Sequence, residues 1–139
     1  MIRDRLEKLA TQVVNAAFEV HRELGPGLLE STYEMALCHE LSMAGLRFER
    51  QKDMPVSYKG IKLDLGYRLD LLVETEILLE LKAVEELLPV HEAQLLSYLK
   101  HADKALGFLI NFNVPLIRDG IRRRAHRLPV PLVSFVPSW

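Results

Sequence analysis

A single cysteine, Cys38, cannot close an internal disulfide, and with no second thiolate it cannot build a sulfur cage for zinc. A reducing, cytoplasmic setting is the expectation. No apolar run approaches the ~20 residues needed to cross a bilayer. The opening MIRDRLEKLA is charged where a signal peptide would be apolar, so neither export nor membrane insertion is expected. An excess of positive charge is missing as well. The formal net charge of −1 excludes a wholly basic nucleic-acid binder and leaves phosphate contacts to a local patch. Internal repeats, low-complexity tracts and linkers are also absent. What is present is apolar material: 49% of 139 residues are hydrophobic, enough for one continuous core, so residues 1–139 are expected to form one folding unit.

Leu6, Leu9, Ala10, Val13, Val14, Ala17, Val20 and Leu24 recur at three- and four-residue steps, the stripe of an amphipathic helix. Gly25-Pro26-Gly27 should stop it, because glycine takes the left-handed terminal conformation and proline cannot extend the ladder. A second helix is expected over residues 28–44, ended by Gly45. From Phe48 onward the pattern is that of strands, with a hairpin turn at Lys59-Gly60. Over residues 61–73 every odd position is apolar, with Lys62, Asp64, Arg68 and Asp70 among the even ones, which predicts a half-buried strand. Residues 77–83 alternate in the same way, with Leu78, Glu80 and Lys82 opposite the main apolar row. A helix at 91–102, a strand at 106–112 and a possible last strand at 132–136 complete the order ααβββαβ(β).

The apolar rows fix how the two alternating strands pair, because a one-residue slip would turn a whole row into water. Matching Val73 with Ile77, Leu71 with Leu79 and Leu69 with Leu81 sets Asp70 opposite Glu80 and Arg68 opposite Lys82. Opposed residues have Cβ atoms about 4.5–5.5 Å apart. Two carboxylates that close repel, which suggests a compensating cation, and oxygen ligands favour Mg²⁺, Mn²⁺ or Ca²⁺ over zinc. Lys82, one pleat from Glu80, offers the alternative of neutralising the pair without metal. Glu74-Thr75-Glu76 lacks the glycine usual in a three-residue loop, and a five-residue loop would keep the same register.

An acidic residue on one strand and Glu-x-Lys on the next, here Asp70 and Glu80-Leu81-Lys82, resembles the PD-(D/E)XK nuclease superfamily. Gly27-Leu28-Leu29-Glu30-Ser31-Thr32-Tyr33 matches the signature of the GxxExxY protein family, which is similar to that superfamily. The stretches HRELGPGLLESTYE, YRLDLLV, ILLELKAV, HEAQLLSYLK and GFLINF have counterparts in the same pattern, so the resemblance covers nearly the whole chain. It implies a restriction-endonuclease-like α/β core, a mixed sheet flanked by helices. It also implies a metal site in which Glu30 joins Asp70 and Glu80, with Mg²⁺ or Mn²⁺ as cofactor. Gln94 and Tyr98 match the Gln-x-x-x-Tyr motif of exonuclease-like members, and being four apart they share one helix face. Other readings stand beside these: Glu30 in a first helical turn is stabilised by the helix dipole alone, Tyr98 suits a core and Gln94 a backbone cap. His21, at the border of the first stripe, is read as a hydrogen-bonded core residue.

The implied activity is metal-dependent hydrolysis of phosphodiester bonds in DNA or RNA, with Asp70, Glu80, Lys82, Gln94 and Tyr98 as catalytic candidates. Arg118, Arg122, Arg123, Arg124 and Arg127 against Asp119 give a local charge of +4. Of these, Arg122, Arg123 and Arg124 are the candidates for nucleic-acid contact, with a solvated loop or helix face as the alternative. Two other functions remain open: a non-enzymatic nucleic-acid-binding or protein-interaction domain that kept the fold, and a carboxylate-rich metal protein acting on a phosphorylated small molecule.

Overall fold

A computed structural model describes residues 2–127, and the strand expected at 132–136 lies outside the described residues. Helix α1 spans Ile2–Leu24 and α2 Glu30–Met43, followed by β1 (Phe48–Tyr58), β2 (Ile61–Val73) and β3 (Ile77–Lys82). Helix α3 (Pro89–Ala102), β4 (Leu106–Asn111), a short 3-10 turn at Ile117–Gly120 and β5 (Ile121–Ala125) complete the described chain. The five strands form one sheet in the order β1-β2-β3-β4-β5. Only β3 and β4 run parallel, which requires a crossover, and α3 is that crossover. Among the described residues the expected order of elements is therefore present, and the arginine segment adds a strand, β5, that was not expected there.

Helix ends fall where the glycines stand. Gly25, at φ +67, donates its N–H to the His21 carbonyl as α1 ends, and Gly45, at φ +76, allows the Leu46 N–H to reach back to the Leu41 carbonyl beyond α2. Lys59 and Gly60 have φ +50 and +80 between the paired Tyr58 and Ile61, the two left-handed residues a tight hairpin needs. Glu74 and Thr75 also sit at positive φ, +51 and +55, without glycine. Glu74 is held there by Arg47, whose backbone N–H and guanidinium both donate to its carboxylate. The three-residue loop thus exists, and Val73 pairs with Ile77 as expected.

Two apolar layers sandwich the sheet. On one face Leu71, Val73, Ile77, Leu79, Leu81, Phe108 and Ile110 pack against α1 and α2. On the other, Leu69, Leu72, Leu78 and Leu109 pack against Leu95 and Leu99 of α3. Gly107 lets α3 approach β4, since a Cβ there would meet Leu95 Cδ1 at 3.0 Å. This layering corrects the half-buried strand. Leu72 and Leu78, expected on the polar side, are buried under α3, and Leu69 joins them instead of Leu71 and Val73. Toward the other end of β2 the apolar row is exposed, with Ile61, Leu63 and Leu65 at 62%, 40% and 93%.

Candidate active site

The hairpin of β2 and β3 pairs Val73 with Ile77, Leu72 with Leu78 and Leu71 with Leu79, and its ladder ends there. The expected pair of Leu69 with Leu81 does not form, because the two leucines belong to opposite cores. At the next rung the acids take the ladder's place. The Leu81 N–H donates to Asp70 Oδ2 at 2.8 Å, and the Asp70 N–H donates to Glu80 Oε1 at 3.4 Å. Each carboxylate is thereby braced by a backbone N–H, and the two lie side by side as the register requires. Glu80 is 7% exposed. Burial first, and then the Asp70 carboxylate against it, push the Glu80 pKa up to about 9. At neutral pH the pair therefore holds a proton when nothing else compensates its charge.

Lys82 is half-buried at the end of β3 and lowers the proton affinity of Glu80 and Glu30, as a nearby cation must. Its expected counterpart, Arg68, faces elsewhere and pairs with Asp53 of β1 at 2.9 Å. Glu30 opens α2 and keeps solvent access, yet partial burial and then the Asp70 charge raise its pKa. It shares a field with Asp70 and Lys82. Among the described residues, however, no three His, Cys, Asp or Glu side chains come close enough together to hold a metal ion.

The position of Glu30 is set by the glycine loop before it. Tyr33, fully buried and stacked on Phe112 at 4.7 Å, donates its hydroxyl to the Gly25 carbonyl and accepts the Leu28 N–H. Gly27, at φ +101, gives its N–H to Asn113 Oδ1. The glycine and tyrosine of the seven-residue motif thus fix the loop, and the glutamate between them is presented at the start of the helix. His21 is buried with Nε2 2.7 Å from the Val114 carbonyl oxygen, in keeping with its reading as a hydrogen-bonded core residue.

Tyr98 lies on α3, its ring stacked on Tyr67 of β2 at 4.5 Å. Burial raises its pKa first, and the charges of Glu80 and Asp70 raise it further, so the phenol stands within reach of their field. Gln94, one turn earlier, is exposed. The arginines diverge. Alternate residues of a strand point to opposite faces. Arg123 accordingly pairs with Glu7 of α1, while Arg124 pairs with Glu92 of α3. Arg122 donates to the Asp119 and Ile121 carbonyls.

Sequence reasoning passed over one group. Glu34, 5% exposed, accepts Arg50 Nε and Nη2 at 3.0 and 2.8 Å and Gln51 Nε2 at 2.7 Å, tying α2 to β1 beside the acids. A carboxylate one turn after Glu30, on the same helix face, was the signal available.

No curated protein and no solved structure matches this chain. A family model does, over residues 7–124, and that span takes in most of the first helix, the glycine loop, both acid-bearing strands, α3 and nearly all of β5. A five-stranded mixed sheet between helices agrees with that match, and the chain belongs to the PD-(D/E)XK nuclease superfamily.

Proposed function

We propose that the chain is a Mg²⁺- or Mn²⁺-dependent nuclease that hydrolyses phosphodiester bonds at Asp70, Glu80 and Lys82. The observation that carries this reading is the braced, charge-frustrated acid pair, with Glu80 buried and its pKa near 9. Such a pair is poor as a structural ion cluster and fits a hard divalent cation, which carbonyl and carboxylate oxygens prefer. Asp70 and Glu80 would hold the ion, with Glu30 approaching from α2. When bound, a divalent ion polarises a phosphoryl oxygen and lowers the pKa of a water.

The chain's own groups do the rest. Backbone N–H groups keep both carboxylates fixed, so no reorganisation is needed as charge develops. The Lys82 ammonium orients the attacking water and stabilises negative charge on the phosphoryl oxygens. Gln94, exposed on the α3 face that carries Tyr98, contacts a phosphate or the water, and Tyr98 closes the side of the site nearest Glu80. Arg122 is the arginine of its trio best able to meet a phosphate, since Arg123 and Arg124 are already ion-paired.

The test is cleavage of single- and double-stranded DNA and RNA in chelator, Mg²⁺ and Mn²⁺, with wild type and Lys82→Ala. Metal-dependent cleavage that Lys82→Ala abolishes, while its metal-induced stabilisation persists, supports the reading. A Lys82→Ala protein that cuts at the normal rate overturns the role of the lysine. A second reading, a nucleic-acid-binding or protein-interaction domain without turnover, is favoured by one observation: among the described residues no third His, Cys, Asp or Glu joins Asp70 and Glu80 closely enough to hold a metal ion. Binding without cleavage in every metal would select it.

A further inference from the structure

Strand β1 is distorted at one rung within the length that flanks the acids. Gln51 has φ +47, a left-handed value that a residue with a Cβ keeps inside a strand only when its surroundings hold it there. The flanking pairs Arg50↔Leu71 and Lys52↔Leu69 place Gln51 opposite Asp70, and between Phe48 and Met54 this is the rung missing from the ladder. Strand β2 changes at the same rung. Leu71 packs under α1 and α2, whereas Leu69 packs under α3. Departures from the pleat at opposed residues of two paired strands are one distortion seen from both sides. At this same rung the Asp70 carboxylate, rather than a backbone carbonyl, receives the Leu81 N–H.

A buried carboxylate grips the distorted residue. Gln51 Nε2 donates to Glu34 Oε1, and the other oxygen of Glu34 is taken by Arg50. Charge-assisted bonds of this kind are strong, and a buried acceptor left unmade is costly. Glu34 lies one turn beyond Glu30, so the helix that brings Glu30 toward the acids also grips the strand opposite Asp70.

We propose that Glu34 and Gln51 are positioning residues, which hold β1 in its left-handed kink and thereby turn Asp70 out of the ladder toward Glu80 and Leu81. Their effect on metal binding rests on the proposed function; their effect on Asp70 does not.

The test is amide hydrogen exchange of the metal-free protein, together with Mn²⁺ affinity. Gln51 is exposed, so Gln51→Ala removes the grip without emptying a core. The expected result is about tenfold faster exchange at Leu81, with Phe108 and Ile110 in β4 unchanged, and a Mn²⁺ Kd weakened about tenfold. Lys52→Ala, which removes an ammonium bonded to Glu49 on its own strand, should leave all three amides and the Kd at wild-type values. Leu81 protection in Gln51→Ala equal to wild type would overturn the proposal. A wild type that does not bind Mn²⁺ would instead sink the metal reading, with Leu81 still deciding the positioning.

Discussion

The two halves of β2 carry the same alternation and meet opposite fates. Ile61, Leu63 and Leu65 stand in solvent, while Leu69, Leu71 and Val73 are fully buried. The odd-position row alone does not separate them; their neighbours do. The outer half pairs with β1 alone, whereas the inner half has β1 on one side, β3 on the other and a helical layer on each face. Apolar periodicity reports which residues share a side of a strand, but the layers that cover that side decide its burial. The acids stand at the boundary. Asp70 is the first residue of β2 beyond its ladder with β3, where a side chain can replace a ladder bond.

The sharpest way to break this comparison is to truncate each half. Leu71→Ala should cost about 2–5 kcal/mol, because a buried leucine loses both its transfer energy and its cavity lining. Leu65→Ala should stay within about 0.5 kcal/mol. Urea unfolding of both variants checks this, and similar losses at the two positions would mean that the outer half is covered after all.

The arginine strand β5 supplies the next contrast. Arg123→Ala leaves Glu7 without its partner and strips a side chain that is only 6% exposed, so a loss of about 1–3 kcal/mol is expected. Arg122→Ala, which gives up bonds to nearby carbonyls, should cost less than about 0.5 kcal/mol. If Arg122→Ala weakens nucleic-acid binding and flattens its salt dependence while Arg123→Ala mainly unfolds the protein, the strand divides as its alternation requires.

The acid pair predicts a slope rather than a single loss. The folded-state pKa of Glu80 is raised to about 9 from an ordinary 4.5, so between those values the folded protein binds the extra proton. Stability contributed by that proton is fully present below about pH 4.5 and is lost as pH rises toward about 9. Metal-free wild type should therefore weaken over this window, and Glu80→Gln should weaken less. Denaturant midpoints at several pH values in chelator check it, and parallel curves for the two proteins would contradict it.

Much of this was legible in the chain. Three- and four-residue spacing marked α1, the glycines marked the ends of α1 and α2, and the rows Leu71, Val73, Ile77 and Leu79 fixed a hairpin register that brings Asp70 beside Glu80. The change of face at Leu69 was not legible, because it depends on Gln51 in another strand and on Glu34 in a helix. Nor was the fate of the arginines: Ile121-Arg122-Arg123-Arg124 reads as charge, and only α1 and α3 on either side of β5 supply Glu7 and Glu92. The loop at Glu74-Thr75 kept three residues without glycine because Arg47, far off in sequence, binds the Glu74 carboxylate.

The most direct test of the acid pair as a metal centre is a thermal melt of wild type and Asp70→Asn, each in chelator and in millimolar Mn²⁺. Asparagine keeps an oxygen for the Leu81 N–H and removes one charge, so without metal the variant should be as stable as wild type or slightly more so. Mn²⁺ at about ten times Kd should stabilise wild type by about 1.4 kcal/mol, several degrees for a chain of this length. Asp70→Asn should lose most of that gain. Equal responses to Mn²⁺, or a wild type that melts identically with and without it, would contradict a metal centre at Asp70 and Glu80.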